Sequence, residues 1–347
     1  MARVRRIYSD PMIRTAQLFQ PLQFALLVSA GFAVNSTIAA ESASGVQIVQ
    51  EAEVVKVTVN GHLFTEYHYK DVPRPYFYPL IGPDDLATTR NWPMKDPPGE
   101  EHDHPHHRSL WFAHGKVNGV DFWGEANVWG KIVHDGFTSI SSGEESGVIR
   151  SRDKWVMPDG SIACTDDRVM RIYNKGEDRR MFDFEVTIHA SNGDVVFGDT
   201  KEGSMALRLA ETMRYKKADK TVGEGHIVNS NGVRDDATWG KHADWVDYYG
   251  PVNGKIVGVA MFDNPNNPRH PTTWHVRDYG LFAANPFGLH DFEKKPAGAG
   301  DFKISAGQSA TFRYRFYMHR GNEIEAQVGK EFAVYARETK PTAATPN

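Results

Sequence analysis

The chain has little cysteine, no excess of charge of one sign and, beyond its first forty residues, no long apolar run. Cys164 is the single cysteine, so an internal disulfide and a thiolate metal cluster are both excluded. Lysine and arginine number 40 against 44 for aspartate and glutamate, a net charge of −4. Because such a mixed surface offers no cationic field for a phosphate backbone, we expect no nucleic-acid partner.

The N-terminal segment differs in composition from the rest of the chain. Four arginines within residues 1–14 precede an apolar run from about Phe24 to Val34, and small residues follow at 36–40. This is the order of a secretory signal peptide, and the apolar run is shorter than the roughly 20 residues of a membrane-spanning helix. The sequence predicts a signal peptide over 1–40, a periplasmic or extracellular protein, and no stable membrane span after cleavage.

Alternating apolar and polar residues, separated by turn residues, predict strands along most of the remaining chain. Val54 to Val59 and Leu63 to Tyr69 flank Asn60-Gly61, a pair typical of tight hairpins. Further strands are predicted at 132–140, 147–156, 162–173, 180–190, 195–197, 205–214, 255–262, 272–283 and 308–319. Because the turns are short and no helix alternates with the strands, the sheets should be antiparallel.

Two long segments, the proline-rich 70–103 and residues 216–254, are predicted to be loops. At 323–336 apolar residues recur at helical spacing, which predicts one amphipathic helix. We therefore predict an all-β fold: a large antiparallel β-sandwich, supersandwich-like, with long loops and a C-terminal helix. A single domain would span 41–338, followed by a polar tail at 339–347.

Histidine is concentrated between residues 101 and 125, which hold five of the chain's 15 histidines. In an extended chain His104 and His106 point to the same side about 7 Å apart, so they could converge on a divalent metal ion. Without thiolates, such a site would suit zinc, iron, copper, nickel or manganese. A polar cleft without metal is the favoured alternative, and the cofactor stays open.

In the metal-free alternative, His106 or His107 moves a proton. Indole rings offer flat apolar surfaces to a sugar, although a tryptophan taken alone is more often part of a core. The residues of this stretch expected to bind substrate are Arg108, Trp111, His114, Asp121 and Trp123.

A second segment, 199–211, combines charged residues with a predicted strand. A buried isolated charge is costly, so these charges must pair, reach a sheet end or line a cavity. Glu202 and Glu211 are the best carboxylate candidates for acid/base catalysis, and a purely structural ion pair is the alternative. Lys201, Arg208 and Glu211 are expected to bind substrate.

A third segment, 274–288, places His275, Arg277 and Tyr279 on one face of a predicted strand. Such a row can hydrogen-bond several hydroxyl groups, and an ordinary solvent-facing row is the alternative. His275 is a catalytic candidate, and the turn that follows is expected to hold Asn285 at the rim of the site.

Four stretches carry a family resemblance: His-Pro-His-His-Arg-Ser-Leu-Trp-Phe-Ala-His at 104–114, Asn-Gly-Val-Asp-Phe-Trp at 118–123, Lys-Glu-Gly at 201–203, and Trp-His-Val-Arg-Asp-Tyr-Gly-Leu-Phe-Ala-Ala-Asn-Pro-Phe-Gly at 274–288. Over residues of about 50 to 335 the chain resembles an exported bacterial family of unknown function labelled methane oxygenase PmoA-like. The label implies a metal-dependent oxygenase. The occurrence of family members in bacteria that degrade complex polysaccharides implies carbohydrate chemistry.

We favour an exported carbohydrate-active enzyme of hydrolase, lyase or epimerase type, whose substrate is a small molecule or an oligosaccharide. The alternatives are a metal-dependent oxygenase and a non-catalytic carbohydrate-binding protein. The favoured hypothesis requires segments 104–114, 201–211 and 274–287 to meet in one place.

Overall fold

The computed structural model describes residues 44–126 and 128–338. The chain divides into two units, Met1–Glu41 and Ser42–Asn347, and all described residues belong to the second. The predicted signal peptide and the polar tail lie outside the described residues. Within the described ranges no helix has the length and apolar character that a membrane crossing requires.

Strands dominate the described chain. They are β1 (Val46–Gln50), β2 (Val54–Val59), β3 (His62–His68), β4 (Tyr76–Phe77), β5 (Leu110–His114), β6 (Lys131–Ser141), β7 (Ser146–Val156), β8 (Ile162–Tyr173), β9 (Arg179–His189), β10 (Val195–Phe197), β11 (Gly203–Arg208), β12 (His226–Asn229), β13 (Trp245–Val252), β14 (Lys255–Asp263), β15 (Trp274–Val276), β16 (Leu281–Ala284), β17 (Phe302–Ile304) and β18 (Ser309–Arg320). The helices are α1 (Leu289–Glu293) and α2 (Val328–Glu338), with 3-10 turns at Pro83–Asp85, Glu211–Met213 and Asp235–Thr238.

The described residues form two eight-stranded antiparallel sheets. The front sheet has the order β1-β2-β3-β4-β5-β11-β16-β15, the back sheet has the order β12-β13-β14-β18-β9-β8-β7-β6, and β10 pairs with β17 in a small third sheet. The two large sheets pack face to face, and α2 packs on the outer face of the back sheet. The predicted antiparallel β-sandwich with long loops and a C-terminal helix is confirmed.

The inner faces of the sheets meet through large apolar side chains. Phe112 of the front sheet lies 6.2 Å from Trp155 and 6.4 Å from Phe312 of the back sheet, measured between ring centroids. Each such fully buried side chain contributes about 1.5–3 kcal/mol relative to exposure. Because successive strand residues point to opposite faces, the neighbours of Phe112 in β5 face away from this core.

The predicted first hairpin is present. β2 has the predicted bounds, and the turn residues Asn60 and Gly61 have φ values of 51° and 81°. Positive φ at both central positions is what a type I′ hairpin turn requires, and asparagine followed by glycine tolerates it at the least cost.

Several predicted boundaries were wrong. The strand expected at 272–283 is a hairpin of β15 and β16, in which the N–H of Arg277 donates to the carbonyl of Leu281 and Gly280 turns with a φ of 89°. The segment 216–254, expected to be a loop, contains β12 and β13. The sequence did not predict β13 because Gly250 and Pro251 interrupt its alternation, although the strand pairs regularly with β14. The strand expected to reach residue 214 ends at Arg208, and β1 was not predicted.

Candidate functional site

The three segments that sequence analysis singled out lie side by side in the front sheet. β5 pairs with β11, β11 pairs with β16, and β16 pairs with β15. The register aligns Trp111 with Ala206, Ala206 with Ala283, and Ala283 with His275. Because Phe112 points into the sandwich, this row faces outward. The outer face of the front sheet therefore carries the residues expected to do chemistry.

A stack of four rings rises from this face. Trp111 lies 5.3 Å from His107, His107 lies 4.6 Å from His104, and His104 lies 5.2 Å from Tyr279, with interplanar angles of 24°, 9° and 9°. Trp111 and His107 are buried, whereas the His104 side chain is 38% exposed. The stack thus leads from a buried base to an accessible imidazole.

Arg208 ties the stack to the sheet. Its Nη1 donates to Nδ1 of His107 over 3.1 Å, and its Nη2 donates to both carboxylate oxygens of Asp103 over 3.0 and 3.1 Å. Burial and the charge of Arg90 lower the pKa of Arg208 to about 10, which leaves it cationic at neutral pH. Since His107 accepts at Nδ1, its proton is on Nε2.

Asp103 and His104 form a dyad. Nδ1 of His104 donates to Oδ2 of Asp103 over 2.7 Å, and Arg90 also donates to this carboxylate. Burial would raise the pKa of Asp103, but these hydrogen bonds and the charge of Arg208 hold it well below its usual range. The carboxylate fixes the Nδ1–H tautomer of His104. None of the described residues is a hydrogen-bond partner of His104 Nε2, which in this tautomer is a proton acceptor.

Two neighbouring imidazoles are held neutral. Burial and the charge of Arg74 lower the pKa of His106 to about 3, and burial and the charge of Arg277 lower that of His275 to about 3. Trp239 donates from Nε1 to Nδ1 of His275 over 3.1 Å, so Nε2 of His275 carries the proton. At neutral pH these rings are hydrogen-bonding groups and do not act as imidazolium acids.

Lys201 and Glu202 form one rim of the site. Their side chains are 40% and 34% exposed, and Lys201 Nζ lies 2.6 Å from Glu202 Oε1. Burial raises the pKa of Tyr279 to about 12, and the charge of Glu202 contributes to the rise. Glu202 is therefore an accessible carboxylate whose field reaches the ring that covers His104.

Asn285 occupies a position other than the expected one. Its side chain is wholly buried and its Nδ2 donates to the carbonyls of Thr200 and Lys201 over 3.0 and 2.9 Å. Its Oδ1 accepts from the backbone N–H of Phe287. Asn285 thus positions the Lys201 backbone from below and does not stand at the rim.

His114 points away from the site, which corrects its expected role in substrate binding. It is wholly buried on the inner face of β5, where its ring lies 5.4 Å from that of Phe197 and 5.1 Å from that of Phe287. Its Nε2 donates to the Gly198 carbonyl over 2.7 Å. The alternation along β5, which places Trp111 outside, places His114 inside.

Trp111 and Trp123 are not exposed sugar platforms. Both are buried, their rings lie 5.0 Å apart, and His107 covers Trp111. Oδ1 of Asp121 accepts from the backbone N–H groups of Trp123 and Gly124. Asp121 thus shapes the turn that seats Trp123. The rings presented at the surface belong to His104 and Tyr279.

Two further expected binding residues are engaged in ion pairs. Arg108 donates from Nε and Nη2 to the two carboxylate oxygens of Glu125, each over 2.8 Å. Glu211 accepts from Arg214 and lies 3.9 Å from Arg90. The Arg108–Glu125 pair is fork-like, whereas Glu211 and Arg214 share a single bond that leaves Glu211 Oε1 without a hydrogen-bond partner among the described residues. The structural alternative therefore fits both residues.

Sequence analysis missed Asp103, Arg90 and Trp239. Arg90 is wholly buried and donates to the carbonyls of Trp92, Glu101, Asp103 and His104 over 3.2, 3.5, 3.1 and 3.2 Å. A side chain that orders the carbonyls of a loop leaves no periodic pattern in the sequence. The one available signal for Arg90 was an arginine inside a proline-rich loop.

The donor set fits a resident divalent metal poorly. The rings of His104 and His106 lie 5.8 Å apart at 69° to each other. Within residues 44–126 and 128–338, no group of three or more histidine, cysteine, aspartate or glutamate side chains is placed to share one metal ion. Three protein ligands are the usual minimum for a catalytic zinc, so a metal here would depend on water or substrate for most of its ligands.

Comparison with known proteins identifies the family. A family model described as a family of unknown function, DUF6807, matches residues 54–333. The chain belongs to DUF6807. Membership of a family of unknown function agrees with the expected resemblance, but the match does not show the methane oxygenase label. No curated protein matches the DUF6807 chain.

Among solved structures, the DUF6807 chain is similar to a galactose mutarotase related enzyme from Lactobacillus acidophilus, at 9% identity over 80% of this chain and 97% of that one, with a TM-score of 0.29. It is also similar to a protein assigned as a kojibiose phosphorylase from the human microbiome (8% identity, 81% and 32% coverage, TM-score 0.31) and to a polysaccharide lyase (13% identity, 80% and 33% coverage, TM-score 0.27). It spans about a third of the latter two chains. At TM-scores below 0.5, these similarities carry no argument about this protein.

Proposed function

We propose that this DUF6807 protein is an exported carbohydrate-active enzyme that transfers a proton within a sugar substrate, with His104 as the principal acid/base. The leader pattern of residues 1–40 supports export. The site is the outer-face cluster of Asp103, His104, His106, His107, Glu202, Arg208, His275, Arg277 and Tyr279.

The Asp103–His104 dyad carries this proposal. A carboxylate that holds one imidazole nitrogen as a donor orients the ring and leaves the other nitrogen to exchange a proton. Nε2 of His104 is that second nitrogen, on a side chain that is 38% exposed. An imidazole placed in this way can accept a proton in one step and return it in the next.

The groups around His104 suit a polyhydroxylated ligand. Tyr279 offers a hydroxyl group beside the His104 ring that stacks on it, and the neutral His275, which is 2% exposed, carries a proton on Nε2. Neutral donors bind hydroxyl groups without imposing a charge requirement. Glu202, whose side chain is 34% exposed, supplies a second group that can accept a proton.

The state of the carboxylates favours elimination or epimerisation over hydrolysis. Glycoside hydrolysis ordinarily uses two carboxyl groups on either side of the scissile bond. Asp103 is bonded to two arginines and Glu211 to another, whereas Glu202 pairs with the exposed Lys201. Elimination and epimerisation can use one group that accepts a proton in one step and returns it in the next, which is the role proposed for His104.

Sugar turnover by wild-type and His104→Asn protein tests this function. The assay follows neutral and acidic mono- and oligosaccharides by proton NMR, which detects new double bonds and inverted centres. Asparagine can still donate toward Asp103 but lacks the second ring nitrogen, so kcat should fall at least about 100-fold, the usual contribution of a positioned acid/base.

His102→Asn is the matched control, because His102 lies in the same loop, stacks on Trp92 and bonds to Asp96 outside the site. It should retain wild-type turnover. Equal turnover by wild type and His104→Asn, with both proteins folded, would refute the role of His104. If wild-type protein turns over none of the sugars, the proposal that the protein is a carbohydrate-active enzyme is refuted.

A further inference from the structure

Among the described residues, the charged groups around His104 are paired, with one exception. Asp103 accepts from Arg90 and Arg208, and Lys201 pairs with Glu202. Glu101 and Glu211 both pair with Arg214. Arg277 is half-buried, and no carboxylate within the described residues forms an ion pair or hydrogen bond with its guanidinium. One cationic group at the site thus lacks a counter-charge.

Arg277 is placed beside the proposed acid/base. Its Cζ lies 5.5 Å from the centroid of the Tyr279 ring, and the His104 ring lies 5.2 Å from the same centroid. Arg208 approaches this ring to 4.7 Å but is already bonded to Asp103 and His107. His104 and the unpaired guanidinium of Arg277 therefore both lie against the Tyr279 ring.

We infer that the substrate carries a carboxylate group, that Arg277 binds it, and that the substrate class is accordingly uronic-acid sugars. This inference rests on the proposed function for the location of the reacting sugar. A half-buried cation without a counter-charge is costly, and a bound carboxylate removes that cost through two parallel N–H···O bonds to the planar guanidinium.

The count of unpaired charges distinguishes a carboxylate from other anions. A phosphate ester carries close to two negative charges at neutral pH and would call for two unpaired cations. Among the described residues of the cluster, Arg277 is the single cation without a counter-charge. A neutral sugar would leave Arg277 without a counter-charge. A single carboxylate matches both the charge and the geometry of the guanidinium.

The test is an NMR titration that compares D-glucuronate with D-glucose and D-galacturonate with D-galactose. Wild-type protein should bind each uronate at least about tenfold more tightly than its neutral counterpart, the size of one charge-assisted hydrogen-bonded contact. Arg277→Gln should lose this preference, so that uronate and neutral sugar bind with similar affinity. Arg277→Lys should keep part of it, because lysine retains the charge but not the fork.

Arg152→Gln is the charge-matched control. Arg152 lies on β7 of the back sheet, its side chain is 64% exposed, and it pairs with Asp167. It should bind uronates as wild type does. Equal binding of uronate and neutral sugar by wild type, no detectable uronate binding, or a preference that survives in Arg277→Gln would each overturn the inference.

The two proposals can fail separately. Turnover of neutral sugars without any uronate preference would support the proposed enzyme and contradict the inference that the substrate carries a carboxylate. Uronate binding that depends on Arg277, without turnover of any sugar, would support the binding site and contradict the catalytic role of His104.

Discussion

Nη1 of Arg208 donates to Nδ1 of His107 over 3.1 Å, beneath the loop that carries His104. Arg208 ends a central strand of the front sheet, and His107 belongs to the loop that covers that strand. The same guanidinium holds Asp103, the partner of His104. One buried side chain therefore fixes the height and orientation of the proposed acid/base relative to the sheet.

Replacing Arg208 by methionine should strongly destabilise the protein. Methionine keeps most of the volume but leaves His107 Nδ1 without its donor and removes one of two cations from Asp103. Breaking a buried ion pair from one side costs about 3–5 kcal/mol, measurable as a fall in the free energy of unfolding in urea. Arg152→Met, at an exposed pair, should cost at most about 1 kcal/mol. Similar losses in both variants would contradict the role assigned to Arg208.

Stability should depend on pH through His114. Burial lowers its pKa to about 4 in the folded protein, against about 6.5 in the unfolded chain. Between these values the unfolded state binds more protons, so stability falls as the pH drops from about 6.5 to about 4. At pH 5 the loss from this one ring is about 2 kcal/mol.

His114→Gln removes that contribution while glutamine can still donate to the Gly198 carbonyl. From pH 7 to pH 5 its free energy of unfolding should therefore fall by about 2 kcal/mol less than that of wild type. Despite burial, Asp247 raises the pKa of His319, which acts in the opposite direction, but this ring is present in both proteins. Parallel pH curves for the two proteins would show that His114 is not held neutral.

The loop that presents His104 should loosen when Arg90 is replaced by lysine. Lysine keeps the positive charge but offers one ammonium group where the planar guanidinium reaches four carbonyls and a carboxylate. Hydrogen exchange of residues 99–108 should accelerate relative to wild type, with little change in the strands of the back sheet. Protection of this loop at the wild-type level would mean that other contacts order it.

Strand alternation predicted the sandwich because it reports a local property. β2 and β8 have the predicted bounds, since each strand's side chains divide between core and outside along its own length. β13 was missed because its Gly250-Pro251 step breaks the pattern, while pairing with β14 keeps the strand regular. Backbone pairing between distant segments overrides weak local preference.

The sequence predicted many of the residues of the site but not the hydrogen bonds between them. His104, Arg208, His275 and Tyr279 were recognisable from residue type and spacing. The partnership of Asp103 with Arg208 spans 105 positions, and that of Trp239 with His275 spans 36. Neither leaves a periodic trace. The assignment of Trp111 and Trp123 as platforms failed because the covering loop, whose path the sequence does not reveal, buries both indoles.

The pairing of β5 with β11 has a consequence for the order of folding. The chain between these neighbours in the front sheet contains β6 to β9, four adjacent strands of the back sheet. Strands that are so far apart in the chain pair late in folding, because closing the intervening segment costs entropy before any contact between them is formed. The back-sheet meander can therefore assemble while the two halves of the site are still apart, and a ligand that needs both His104 and Arg277 would recognise only the completed chain.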